Sequence, residues 1–117
     1  MLVSMKIFSD AFCEFPSNIS TAYVGPQNAG PSTLFYESPT GYDATMTCFA
    51  YDALHHWRAE YPEEVFQNQF EKLCTKWKEG LDLIKDDENE EIRVMAEAGY
   101  CLFRASLNHI KYIRLRD

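Results

Sequence analysis

The sequence predicts a mainly α domain: an antiparallel helical hairpin with one or two short helices and a long aromatic, Pro/Gly-rich loop, resembling a three- to four-helix bundle. Three observations carry this prediction. Residues 66–84 and 88–117 repeat apolar side chains at steps of three and four, the period of a helix face. Only Lys85 to Asp87 separate the two runs, and so short a connection folds the second helix back along the first. Residues 16–50 hold four of the five prolines and no sustained period. At 117 residues the chain fits one domain, organised as a short helix over 1–15, an irregular aromatic loop over 16–50 and a helical block over 51–117.

Within the first element, Met5, Phe8 and Phe12 fall at helical spacing, and Phe15-Pro16 ends the helix. Gly25-Pro26, Gly30-Pro31 and Pro39-Thr40-Gly41 then read as turns. They leave short extended pieces at Thr33 to Glu37 and Ala44 to Phe49, enough for a β-hairpin. Tyr23, Phe35, Tyr36, Tyr42, Phe49 and Tyr51 populate this loop. Two readings stay open: the rings form an irregular lid over the helices, or they face a ligand, with Gln27, Asn28 and Thr40 supplying hydrogen bonds.

Asp52 is placed to cap a short helix reaching about Glu60, with Leu54 and Trp57 on its inner face. Tyr61-Pro62-Glu63-Glu64 opens the next helix: proline suits the first helical position, and the two carboxylates complement the positive end of the helix dipole. Its inner face follows Phe66, Phe70, Leu73, Trp77, Leu81 and Ile84. Gly80 lowers helix propensity by about 1 kcal/mol and is expected to admit a close approach by the following helix. Asp87 with Glu90 resembles a capping box for the last helix. That helix carries two apolar stripes, one through Ile92, Met95, Gly99, Leu102, Ser106, Ile110 and Ile113, the other through Val94, Ala98, Cys101, Ala105, Asn108, Tyr112 and Leu115. A helix apolar over most of its circumference is normally covered by more than one neighbour. On the polar strip, Glu97 is expected to pair with Arg93 or Arg104.

Composition excludes several classes of function. The chain is 46% hydrophobic and 15% aromatic, so it has the material for a core despite a net charge of −7. Residues 1–59 carry Lys6 and Arg58 against five acids, a balance of −3 that leaves −4 for the remainder. Without a basic stripe, no nucleic-acid partner is expected. No run approaches the roughly 20 apolar residues of a membrane span, and the N-terminus lacks the pattern of a signal peptide. Cys13, Cys48, Cys74 and Cys101 are too widely spaced for a zinc knuckle or redox motif. Buried free thiols in a reducing, cytoplasmic setting are expected, with Cys74 and Cys101 on apolar helix faces.

No metal or other cofactor is expected. His55 and His56 project about 100° apart on a helix and cannot share one metal as an i, i+4 pair does. Asp52 with either histidine would make an acid–base pair, but no Ser or Cys nucleophile is tied to it by spacing. An ordinary hydrogen bond is the expectation.

The run Gly25-Pro26-Gln27-Asn28-Ala29-Gly30-Pro31, Thr33-Leu34-Phe35-Tyr36, Pro39-Thr40-Gly41-Tyr42, Ala44-Thr45-Met46 and Tyr51-Asp52 ahead of Trp57 resembles the C-terminal helical region of large bacterial glycoside-hydrolase-like proteins. So do Phe70-Glu71-Lys72, Trp77 and Gly80-Leu81, then Ala96-Glu97-Ala98, Phe103-Arg104 and the closing Arg114-Leu115-Arg116-Asp117. The resemblance spans nearly the whole chain, but the barrel that bears catalytic carboxylates in such proteins has no counterpart here. No carboxylate pair in this sequence stands out as the flanking acids a glycosidase needs. The resemblance therefore implies a non-catalytic accessory or C-terminal fragment of a carbohydrate-active protein, not an enzyme as an isolated chain. Tyr36, Tyr42 and Trp57 would supply stacking faces to a carbohydrate, and Asn28, Asp52 and Arg58 hydrogen bonds. The helical pattern still running at Arg116-Asp117, without a glycine or proline stop, fits a piece of a longer protein with an upstream domain. A second reading, carried by the uncovered stripe of the last helix, is a small helical protein–protein interaction or dimerisation module, for example a homo-oligomer.

Overall fold

The computed structural model describes residues 2–18, 35–43 and 52–117. Four helices appear among them: α1, Leu2–Phe12; α2, Leu54–Trp57; α3, Glu63–Ile84; and α4, Glu90–Arg116. The mainly helical class expected from the periodicity is found, with no strand among the described residues. Phe35, Tyr36 and Glu37 are not in a strand, and Ala44 to Phe49 lie outside the described residues.

α3 is the shared element, and both α1 and α4 run antiparallel to it. Along α1 and the turn that follows it, Phe8 meets Trp77 at 4.6 Å between ring centroids, Glu14 pairs with Lys76 at 2.7 Å, and Phe15 meets Phe70 at 5.7 Å, so rising numbers in this segment match falling numbers in α3. Along α4, the Trp77 indole N–H donates to Ala96 O at 2.9 Å, while Lys111 lies 3.1 Å from Glu71 and Arg114 pairs with Glu63 at 3.7 Å.

The predicted inner face of α3 is the real one: Phe66, Phe70, Leu73, Leu81 and Ile84 are buried, with Trp77 partly so. Burying each large apolar side chain contributes roughly 1.5–3 kcal/mol. Trp57 and Leu54 of α2 join this core with Phe103, Leu107 and Ile110 of α4. A smaller cluster of Phe8, Leu81, Ile84 and Ala96 closes the opposite end.

Several local expectations are corrected. The buried face of α1 is Ser4, Phe8 and Ala11, while Met5 and Phe12 are exposed; the smaller side chains let α1 lie close on α3. The chain that approaches Gly80 is α1, not the following helix: a Cβ at Gly80 would fall 2.5 Å from the Phe8 ring. Pro62 is the residue before α3 and not its first member. The cap of α4 is Asn89, whose side-chain oxygen accepts from Ile92 N at 3.2 Å; Asp87 instead accepts from Asn89 N at 2.9 Å. Finally, α4 buries a single face through Ala96, Phe103, Leu107, Ile110 and Ile113, a slight rotation of the first predicted stripe that leaves Met95 outside.

Candidate functional site

Two places concentrate unusual chemistry: a latch joining the 35–43 segment to the C-terminal turn of α4, and the outward face of α4.

The latch is built around Asp52. Its carboxylate accepts from Thr40 N at 3.1 Å and from the Thr40 hydroxyl, and lies 2.8 Å from Arg116 Nη1. Arg116 also donates to Tyr36 O at 2.9 Å, a carbonyl that accepts from the Tyr112 hydroxyl at 2.8 Å as well. Burial opposes ionisation of Asp52 and is the largest single influence on it. The hydrogen bonds from Thr40 and Arg116 together outweigh it and hold the carboxyl below its usual value. The hydrogen bond that Arg116 Nε donates to Asp117 Oδ1 at 2.6 Å raises the pKa of the guanidinium, with Asp52 adding to the effect. The group therefore stays charged.

Beneath the latch lies His109, fully buried, with ring centroids 5.3 Å from Trp57 and 5.2 Å from Phe35. Neither ring nitrogen has a hydrogen-bond partner among the described residues. Burial pushes its pKa down to about 4, opposed by the Asp52 charge and assisted by that of Arg116, so the imidazole is neutral at ordinary pH.

These positions decide what the predicted sugar-facing residues can do. Trp57 is 0% exposed and presents no open ring face, because α2 turns it into the core against His109; the stacking role read for it is corrected. Asp52 is consumed by Thr40 and Arg116 and caps nothing: the residue preceding α2 is Ala53, without a side-chain cap. It is likewise not the partner of either neighbouring histidine; His55 sits 3.1 Å from Asp43 instead. Arg58 donates to Tyr61 O at 2.7 Å and holds the turn in which Ala59 adopts a φ of 51°. The half-buried Tyr36 serves through its carbonyl, and Tyr42 is 66% exposed. Asn28 lies outside the described residues. Of the three predicted stacking rings, Tyr42 is the exposed one, and its backbone N–H donates to the Thr40 hydroxyl at 3.3 Å. Phe35 packs edge-on against Tyr112 at 4.9 Å while 52% of it stays exposed. Arg116 and His109 escaped the sequence reading: a C-terminal arginine looks like dipole chemistry, and a lone histidine on a helix has no motif.

The second place is the outward face of α4, opposite the core. Val94 is 56% and neighbouring Met95 67% exposed, and Ala98, Cys101 and Asn108 are also exposed. Cys101 is therefore not the buried thiol expected; Cys74 is, with burial lifting its pKa to about 11. Cys13 is exposed and free, and Cys48 lies outside the described residues. Glu97 makes no ion pair with Arg93 or Arg104; Arg93 turns to Lys85 O at 3.4 Å. Between α3 and α4 an open trough of about 510 Å³ is lined by Tyr100, Arg104, Lys78 and Asp82 among others, a mixture of signs without a convergent polar group.

Among the described residues no group of three or more His, Cys, Asp or Glu side chains is placed to hold a metal ion. No described helix is long and apolar enough to cross a membrane. No family model matches the chain, and neither a curated protein nor a solved structure matches it.

Proposed function

We propose that this chain is a helical protein–protein interaction module whose contact surface is the outward face of α4. The carrying observation is the line Val94, Ala98, Cys101 and Asn108, open to solvent on the side of the helix opposite its buried face. Scattered exposed apolar residues need no explanation, but a row at helical spacing marks a surface suited to a partner. A carbohydrate role has less support, since Trp57 is enclosed and Asp52 is held by Arg116.

Sedimentation velocity and binding of an apolar-surface dye test this reading together. The module should either associate in solution or bind the dye, and Ala98→Glu should abolish whichever is seen while circular dichroism stays unchanged. A monomer that binds no dye overturns the reading.

A further inference from the structure

The spacing of the outward face, 94, 98, 101, 105 and 108, alternates four and three, which is the seam of a coiled coil. Its members Ala98, Cys101 and Ala105 are small and would let a second backbone come close. The stretch from Val94 to Asn108 is about 21 Å long at 1.5 Å per residue. The side chains flanking it one heptad apart are Glu90, Glu97, Arg104 and Lys111. This row is acidic toward the start of α4 and basic toward its end. Glu97 and Arg104 are exposed and, among the described residues, neither has an ion pair within the chain.

We infer that the partner of this face is a second copy of the same chain, laid antiparallel across a two-fold axis near Tyr100 and Cys101; the inference rests on the interaction-module reading. An antiparallel pair sets Glu97 of each copy against Arg104 of the other, and brings Glu90 toward Lys111, which also pairs with Glu71 of its own chain at 3.1 Å. In a parallel pair the same row would lie against Met95, Leu102 and His109 of the other copy, which offer it no opposite charge. Two-fold symmetry makes every favourable contact occur twice. A chain of net charge −7 repels its copy at long range, so pairing needs such a surface, where charge is locally balanced.

The test is a charge reversal and rescue. Wild type should sediment as a concentration-dependent dimer. Glu97→Arg should weaken dimerisation by about tenfold, two small surface pair energies acting together. Glu97→Arg combined with Arg104→Glu should restore it to near wild type, and high salt should mute both the loss and the recovery. Orientation is read by mixing Val94→Cys and Asn108→Cys proteins, each also carrying Cys13→Ser, Cys48→Ser and Cys101→Ser, with a short bis-maleimide. Cross-links should join 94 to 108 and not 94 to 94. Links of 94 to 94, or a double reversal that fails to rescue, overturn the antiparallel pair. A monomer with a dye signal that Ala98→Glu removes overturns self-pairing and leaves the module reading in place. A monomer without that signal overturns both.

Discussion

Asp52 and Arg116 face each other at 2.8 Å with side chains only 4% and 10% exposed, so the last turn of α4 is tied to the segment before α2 by a buried ion pair. Removing Asp52 leaves the largely buried Arg116 guanidinium with only the half-exposed Asp117 and the Tyr36 carbonyl. Asp52→Ala is expected to cost about 3 kcal/mol in urea unfolding, whereas Asp52→Leu with Arg116→Leu should cost less than that single change, because the desolvation penalty leaves with both charges. A single substitution costing under about 1 kcal/mol would mean that water reaches the pair.

Acid should loosen the same end of the molecule through His109. Its imidazole has an ordinary value near 6.5 and is held at about 4 in the fold. The unfolded chain therefore takes up a proton in a range where the folded chain resists it. Stability is complete above pH 6.5 and falls as the pH drops toward 4, by about 3 kcal/mol if the whole shift is expressed. Asp52, also depressed, has the same sign but acts only at lower pH, nearer the ordinary carboxylate value of 3.8. The window from 6.5 to 5 therefore isolates the histidine. Urea midpoints measured across it should slope for wild type and flatten in His109→Leu.

The two long helices were legible because burial on one face leaves a period, and Phe66 through Ile84 shows it without interruption. The latch was not legible. Its bonds join Asp52 to Thr40 and Arg116, and Tyr112 to the Tyr36 carbonyl, and neither spacing nor composition records which distant side chain a carboxylate will meet. The face of α4 was only half legible, since both of its stripes repeat at steps of three and four. Phe103 against Phe15 and Trp77 rotates the helix so that one predicted stripe moves inward and the other remains outside.

The start of α4 gives a test of that local misreading. Asn89 caps Ile92 N, while Asp87 supports the cap by accepting from Asn89 N. Asn89→Ala should cost about 1 kcal/mol. If Asn89 is the true cap, Asp87→Ala should cost less, and the double variant should cost less than the sum of the two, since Asp87 acts on the residue that caps. Thermal or urea unfolding of the three variants reads this directly.

Gly80 supplies the sharpest packing test, because two effects of opposite sign meet there. Alanine improves helix propensity by about 1 kcal/mol over glycine, and on an open helix face Gly80→Ala would stabilise. Here the added Cβ lands 2.5 Å from Phe8 Cε1 and 2.7 Å from Cδ1. The ring is buried and backed by Trp77 at 4.6 Å, so it has little room to retreat. Overpacking of this kind costs about 1–3 kcal/mol, and the clash should win, giving a net loss in urea unfolding. Phe8→Leu alone is expected to destabilise by removing ring contacts with Trp77, yet adding it to Gly80→Ala should cost less than the sum of the two changes, because the smaller side chain vacates the space the methyl group needs. Additive losses would place α1 farther from α3 than the Phe8–Gly80 contact requires.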